Sequence, residues 1–213
     1  ETYDARVSTE WMKPGYDDSL WCRVNVNTEF TGKLVSGYSA TIVVRDDLER
    51  TVQSVKIHKG IVGASDTHYG RANVVRTLRS GAFTLNEGET AVIDFGQNFA
   101  GREAFAVKGA RGTKITVKHA EMLNDGNGAH ERGSDGPEGT VYQAALRSAL
   151  ATTNYILSGE GIEEYHPSHT YYGFRYIQIT ADVPVTFHKL TGQVVTSVER
   201  DTGYVKTSNE EVN

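Results

Sequence analysis

The chain has 213 residues, 38% of them hydrophobic, and a formal net charge of −5, enough for one large domain or two small ones that bury roughly 70% of their unfolded surface without staples. No apolar run reaches the ~18 residues of a membrane helix, and no Lys/Arg cluster offers a nucleic-acid footprint, so neither a membrane nor a nucleic acid is an expected partner. The lone Cys22 excludes an internal disulfide framework and a Cys-based zinc site.

The opening Glu1-Thr2-Tyr3-Asp4 carries neither an initiator Met nor a basic-then-apolar leader, and reads as a cut inside a longer protein. Residues 1–30 are irregular. Trp11 and Trp21 flank Lys13-Pro14-Gly15-Tyr16-Asp17-Asp18, which suggests a lead-in strap pinned by two aromatic anchors. Residues 31–200 are dominated by strand signals. Short β-branched and aromatic runs occur at Thr41–Arg45, Val52–His58, Thr90–Phe95, Glu103–Lys108 and Thr113–Lys118. Others follow at Asn154–Leu157, Phe174–Thr180, Val185–Leu190 and Gln193–Val198. In Thr113–Lys118 the alternation is strict, with Ile115 and Val117 inward. Gly, Asn and Asp bound these runs, and Gly109-Ala110-Arg111-Gly112 reads as a hairpin turn. About nine strands without alternating helices predict an antiparallel two-sheet β-sandwich.

Two stretches break that pattern. Leu123–Glu138 is polar and Gly-rich, a long surface loop. After it, Thr140-Val141-Tyr142-Gln143 has the form of a capping box, and Tyr142, Ala145, Leu146, Ala149 and Leu150 fall at helical spacing, predicting one short amphipathic helix. At residues 201–213, Ser208-Asn209-Glu210-Glu211 is another capping box, which announces a helix as the chain runs out.

Sites with their own chemistry are scarce. Counting from Asp125, the twelfth residue is Gly136, so no EF-hand loop is present. The seven His residues are scattered except His166 and His169, which bracket Pro167-Ser168 and do not share a helical face. No nucleophile elbow or phosphate loop occurs. Asp46-Asp47, Glu160, Glu163 and Glu164 sit in polar surroundings and read as solvated faces rather than a glycosidase acid pair. No cofactor and no metal are expected. The aromatic run His169-Thr170-Tyr171-Tyr172-Gly173-Phe174-Arg175-Tyr176 suits either sandwich packing or a sugar-contact surface, with Tyr171, Tyr172 and Arg175 as the contact candidates.

Asp94-Phe95-Gly96-Gln97-Asn98-Phe99-Ala100-Gly101 resembles the signature D-F-G-Q-N-x-A-G of the concanavalin-like β-sandwich domain of bacterial α-L-rhamnosidases. His119-Ala120-Glu121-Met122-Leu123, Tyr155-Ile156-Leu157 and Gly173-Phe174-Arg175-Tyr176 follow in that family's order, with Tyr172 where His is usual. Glu1–Arg6 resembles the join from a preceding N-terminal sandwich, and Thr202-Gly203-Tyr204 with Ser208-Asn209 resembles the passage into the catalytic domain. The resemblance implies an accessory domain preceding an (α/α)6 barrel whose own carboxylates remove terminal α-linked L-rhamnose with inversion. No catalytic residue is then expected on this chain. Its expected partners are the catalytic and N-terminal domains of the same parent chain and a rhamnose-containing carbohydrate. A stand-alone carbohydrate-binding module is the alternative. Asp94, Gln97 and Asn98 are expected to hold a turn between strands, with Gly96 and Gly101 supplying positive φ or close packing.

Overall fold

Period-two burial runs along Thr90–Gly109 on both sides of an exposed stretch at Gly96–Asn98. Ala91, Ile93, Phe95, Phe99, Phe105 and Val107 are all buried, so outside that stretch one face of this strand looks into the interior. At 20 residues it is far longer than the usual five or six, and the structure shows why: it belongs to two layers. The computed structural model describes residues 1–128, 134–198 and 201–213. Residues 129–133, within the expected Leu123–Glu138 loop, and 199–200 lie outside the described residues.

The strands are β1 (Thr2–Asp4), β2 (Val43–Val44), β3 (Arg50–Thr51), β4 (Ser54–Val62), β5 (Arg71–Leu78) and β6 (Phe83–Leu85). They continue as β7 (Thr90–Gly109), β8 (Lys114–Ala120), β9 (Thr152–Ile156), β10 (Glu163–Tyr165), β11 (Tyr172–Ala181) and β12 (Val185–Thr196). The first half of β7 pairs with β4 on one side and β11 on the other, and the layer continues outward to β5 and through β8, β9 and β1. Its second half pairs with β10 and β12, and β12 carries β6, β3 and β2. Gly101 faces Tyr172 in the first layer and Val194 in the second, so it marks the crossing. Every ladder among these strands is antiparallel except β1 on β9, which is parallel. The expected antiparallel two-layer sandwich is therefore the observed fold.

Ile115, Val117, Ile177 and Ile179 from the first layer meet Leu85, Val107, Phe187 and Leu190 from the second in one core. Phe105 joins the layers directly, with its ring 5.7 Å from both Tyr155 and Phe187. Each such side chain contributes roughly 1.5–3 kcal/mol when withdrawn from water.

Four local expectations are corrected. Gly109–Gly112 is a turn, closed by Thr113 N–H donating to Ala110 O at 3.1 Å, but it makes no hairpin. Gly109 ends opposite Val185 in the second layer and Lys114 starts opposite Ile156 in the first, so the turn is a crossover. The helix expected after Thr140 is a three-residue 3-10 turn, Ala144–Leu146, with no buried residue. Thr140 Oγ1 donates to Pro137 O and Gln143 Nε2 to His119 O, so neither serves the capping box. Ala145, Ala149 and Leu150 stay exposed, and a helix with no face to bury does not repay its nucleation. The capping box at Ser208 is likewise not formed: Thr207 and Asn209 accept the local amides, and only a single turn follows. Finally, Trp11 and Trp21 are 51% and 56% exposed. They pack on each other at 6.2 Å, and Trp21 also packs on Tyr16 at 5.8 Å, which fastens the strap to itself.

Candidate functional site

Tyr171 precedes β11 and is 53% exposed. One residue on, Tyr172 turns toward the interior, because neighbours in a strand take opposite faces. Its ring stacks on His119 with centroids 4.0 Å apart and planes 22° apart, and its hydroxyl donates to Thr152 O at 3.2 Å. Burial pushes the Tyr172 phenol above its ordinary range. Arg175 is already engaged: Nε and Nη2 donate to Asp94 Oδ1 and Oδ2, both at 2.9 Å, and its guanidinium lies 5.0 Å from the Tyr176 ring centroid. The two tyrosines line a groove of about 530 Å³ with Leu146, Leu150 and Thr170, and Arg175 is not part of it. The expected trio is thus two neighbouring rings in one groove and a guanidinium bound elsewhere.

The eight-residue signature lies inside β7, not between two strands. Asp94 pairs with Tyr176 and Phe99 with Phe174. Five steps on β7 match two on β11, so β7 bulges outward by three extra residues. Gly96 takes φ +80° at the bulge, and its amide donates to Asp94 Oδ1 at 2.6 Å. The Arg175 fork, helped by that amide and opposed by partial burial, holds the Asp94 carboxyl below its ordinary range. Asn98 Nδ2 reaches across to Glu121 Oε1 at 2.8 Å, while Gln97 is exposed. At Gly101, where the layers cross, a Cβ would come within 2.2 Å of Gln193 O, a backbone atom that cannot yield. The sequence reading placed these residues at a reversal because Gly and Asn are turn residues; here the same chemistry bends a continuous strand.

Two carboxylates read as solvated, or passed over, are buried. Glu103 and His119 are fully buried, and His119 Nε2 lies 2.7 Å from Glu103 Oε2. His119 Nδ1 faces the Ala151 carbonyl at 3.0 Å, so that nitrogen carries a proton and donates it. Glu103 Oε1 has no partner. Ala151 sits at φ 39° and also accepts the His119 backbone N–H at 2.9 Å. Glu163 accepts from Tyr155 Oη at 2.9 Å and from the amides of Ser158 and Gly159 at 2.8 and 2.9 Å. Burial opposes its charge, but those donors outweigh it and leave the carboxyl below its ordinary range. The signal was present in the parity: Glu103 is in step with Phe105 and Val107, and His119 with Ile115 and Val117. Both carboxylates are held by structure. Among the described residues, no three His, Cys, Asp or Glu side chains converge as a metal site.

Residues 84–197 match the family described as the bacterial alpha-L-rhamnosidase concanavalin-like domain, and that match takes in more than half of the chain. The chain belongs to this family. A curated alpha-L-rhamnosidase of Streptomyces avermitilis is 32% identical over 182 residues, which cover 84% of this chain and 14% of that protein. Among solved structures, an alpha-L-rhamnosidase from Dictyoglumus thermophilum is 27% identical with a TM-score of 0.65, covering 99% of this chain and 20% of its own. The Streptomyces avermitilis alpha-L-rhamnosidase complexed with L-rhamnose is 28% identical with a TM-score of 0.61, covering 92% and 15%. The concanavalin-like domain described here thus spans one fifth or less of each of these three relatives.

Proposed function

We propose that this concanavalin-like domain is a non-catalytic accessory sandwich of a multi-domain α-L-rhamnosidase-like glycoside hydrolase, which positions a catalytic domain carried elsewhere on the parent chain. In this reading residues 1–30 lead in from a preceding domain, 31–200 form the sandwich, and 201–213 begin the connection to the helical catalytic domain. The observation that carries it is that the interior carboxylates have no free chemistry. Glu103 is tied to His119, and Glu163 to Tyr155 and two amides, whereas glycoside hydrolysis needs a protonated and a charged carboxyl facing a sugar. The small share of each relative that the chain covers supports the same view. The purified chain is expected to release no chromophore from an aryl α-L-rhamnoside. Turnover above a buffer blank overturns the reading.

The binding-module reading is favoured by one observation, the groove under Tyr171 and Tyr172. Calorimetric titration with L-rhamnose tests it: millimolar binding lost in Tyr171→Ala supports it, and a flat trace ends it. Tyr171 is the informative position, since Tyr172 also supports the core and Arg175 is held by Asp94.

A further inference from the structure

A second cavity, of about 690 Å³, lies away from the Tyr171 groove and falls within the size range of small-ligand sites. Its geometry follows from strand register. In the second layer Ala106 sits between Glu164 on β10 and Lys189 on β12, and Ala104 lies opposite Thr191. Residues paired across a ladder project to the same side. The two alanines therefore make a low floor, and Glu164 and Lys189 make walls on strands about 10 Å apart. This is a trough open to solvent, wide enough for one sugar ring.

The lining is polar, and three of its charged side chains are exposed and uncommitted. Among the described residues, the side chains of Glu49, Glu164 and Lys189 make no hydrogen bond or ion pair, although all three line the cavity. Tyr3 lines it too. The residue is 42% exposed, and its ring is stacked on Tyr155 at 6.0 Å and 5°, with Tyr165 at 5.5 Å. That backing holds the ring as a rigid platform.

We infer that the trough over Ala104 and Ala106, walled by Glu164 and Lys189 and lined by Tyr3, is a binding site for a neutral saccharide. The chemistry selects the class. Three carboxylates, Glu49, Glu163 and Glu164, against the one ammonium of Lys189 disfavour an anion such as phosphate. Acceptors and donors on opposite walls suit hydroxyls, each of which donates and accepts. A flat, supported tyrosine face suits the apolar face of a pyranose. This goes beyond the accessory-domain reading and does not depend on it.

The test is calorimetric titration of the 213-residue chain with L-rhamnose, rutinose and cellobiose. Saturable millimolar binding of at least one is expected. Ala106→Phe, which fills the floor at a position only 8% exposed, should abolish it in a chain that still melts cooperatively, and Lys189→Ala should weaken it at least tenfold. If Ala106→Phe does not fold, the double variant Glu164→Ala/Lys189→Ala carries the same expectation. No heat with any of these sugars overturns the proposal. So does binding that survives these variants, which would place the sugar elsewhere, as in the Tyr171 groove. The accessory-domain reading is judged separately, by hydrolysis, and a flat trace here leaves it standing.

Discussion

Glu103 and His119 meet at 2.7 Å in the middle of the sandwich, and neither has any exposed surface. One carboxylate oxygen bonds the imidazole and the other has no partner, so the imidazole is the one hydrogen-bond partner this carboxyl has among the described residues. His119→Ala leaves a buried carboxyl without its donor and should cost about 3–5 kcal/mol in chemical denaturation. Glu103→Gln should cost clearly less, because His119 with its proton on Nδ1 accepts from the new amide. Equal losses for the two variants would refute this account of the pair.

Neighbouring tyrosines should behave as opposites. Tyr171 is exposed, so Tyr171→Ala should change stability by no more than about 0.5 kcal/mol. Tyr172→Ala removes the ring stacked on His119 and should cost about 3 kcal/mol. Tyr172→Phe keeps the stack, loses the bond to Thr152 O, and should cost about 1 kcal/mol. Thermal melts of the three variants decide the order.

The two signature glycines should also separate. Gly96→Ala forces a side chain into positive φ beside the flexible Gln53 and should cost about 1–2 kcal/mol. Gly101→Ala drives a methyl into the backbone of β12 at the crossing of the layers. A loss above about 3 kcal/mol, beyond ordinary overpacking, is expected, read as lost soluble yield or a collapsed melting transition.

Acid should find two weak points. Asp94 and Glu163 are both held below their ordinary values, which lie at about 3.9 and 4.3. A depressed folded-state value means stabilisation that is complete above the unfolded value and is lost as pH falls through the folded one. Wild-type stability should therefore hold above about pH 5 and fall steadily below about pH 4. Asp94→Asn and Glu163→Gln should start less stable at neutral pH and show a shallower acid slope. An unchanged slope in both would remove these carboxylates from the acid response.

Much of the sandwich could be read from alternation alone, since Ile115 and Val117, or Ile177 and Ile179, declare an inward face without outside help. Local signals that depend on a partner misled. Leu146 and Leu150 are spaced for a helix, but no surface lies beneath them to receive it. Asp94–Gly101 is rich in turn residues, and only the long-range match of β7 to β11 makes it a bulge. The trough escaped notice because Ala104, Ala106, Glu164 and Lys189 come from three strands, and nothing in their spacing along the chain foretells that register. Glu103 and His119 were legible by parity, and their pairing was missed because it joins two strands far apart in the chain.

The passage of β7 through both sheets has a mechanical consequence. Neither sheet can peel away while the other stays folded, since each would carry off half of the same ribbon. Pulling on the sandwich, by heat or by a tethered neighbour, loads the backbone at Gly101, and the body should yield as a single unit with that crossing as its rivet.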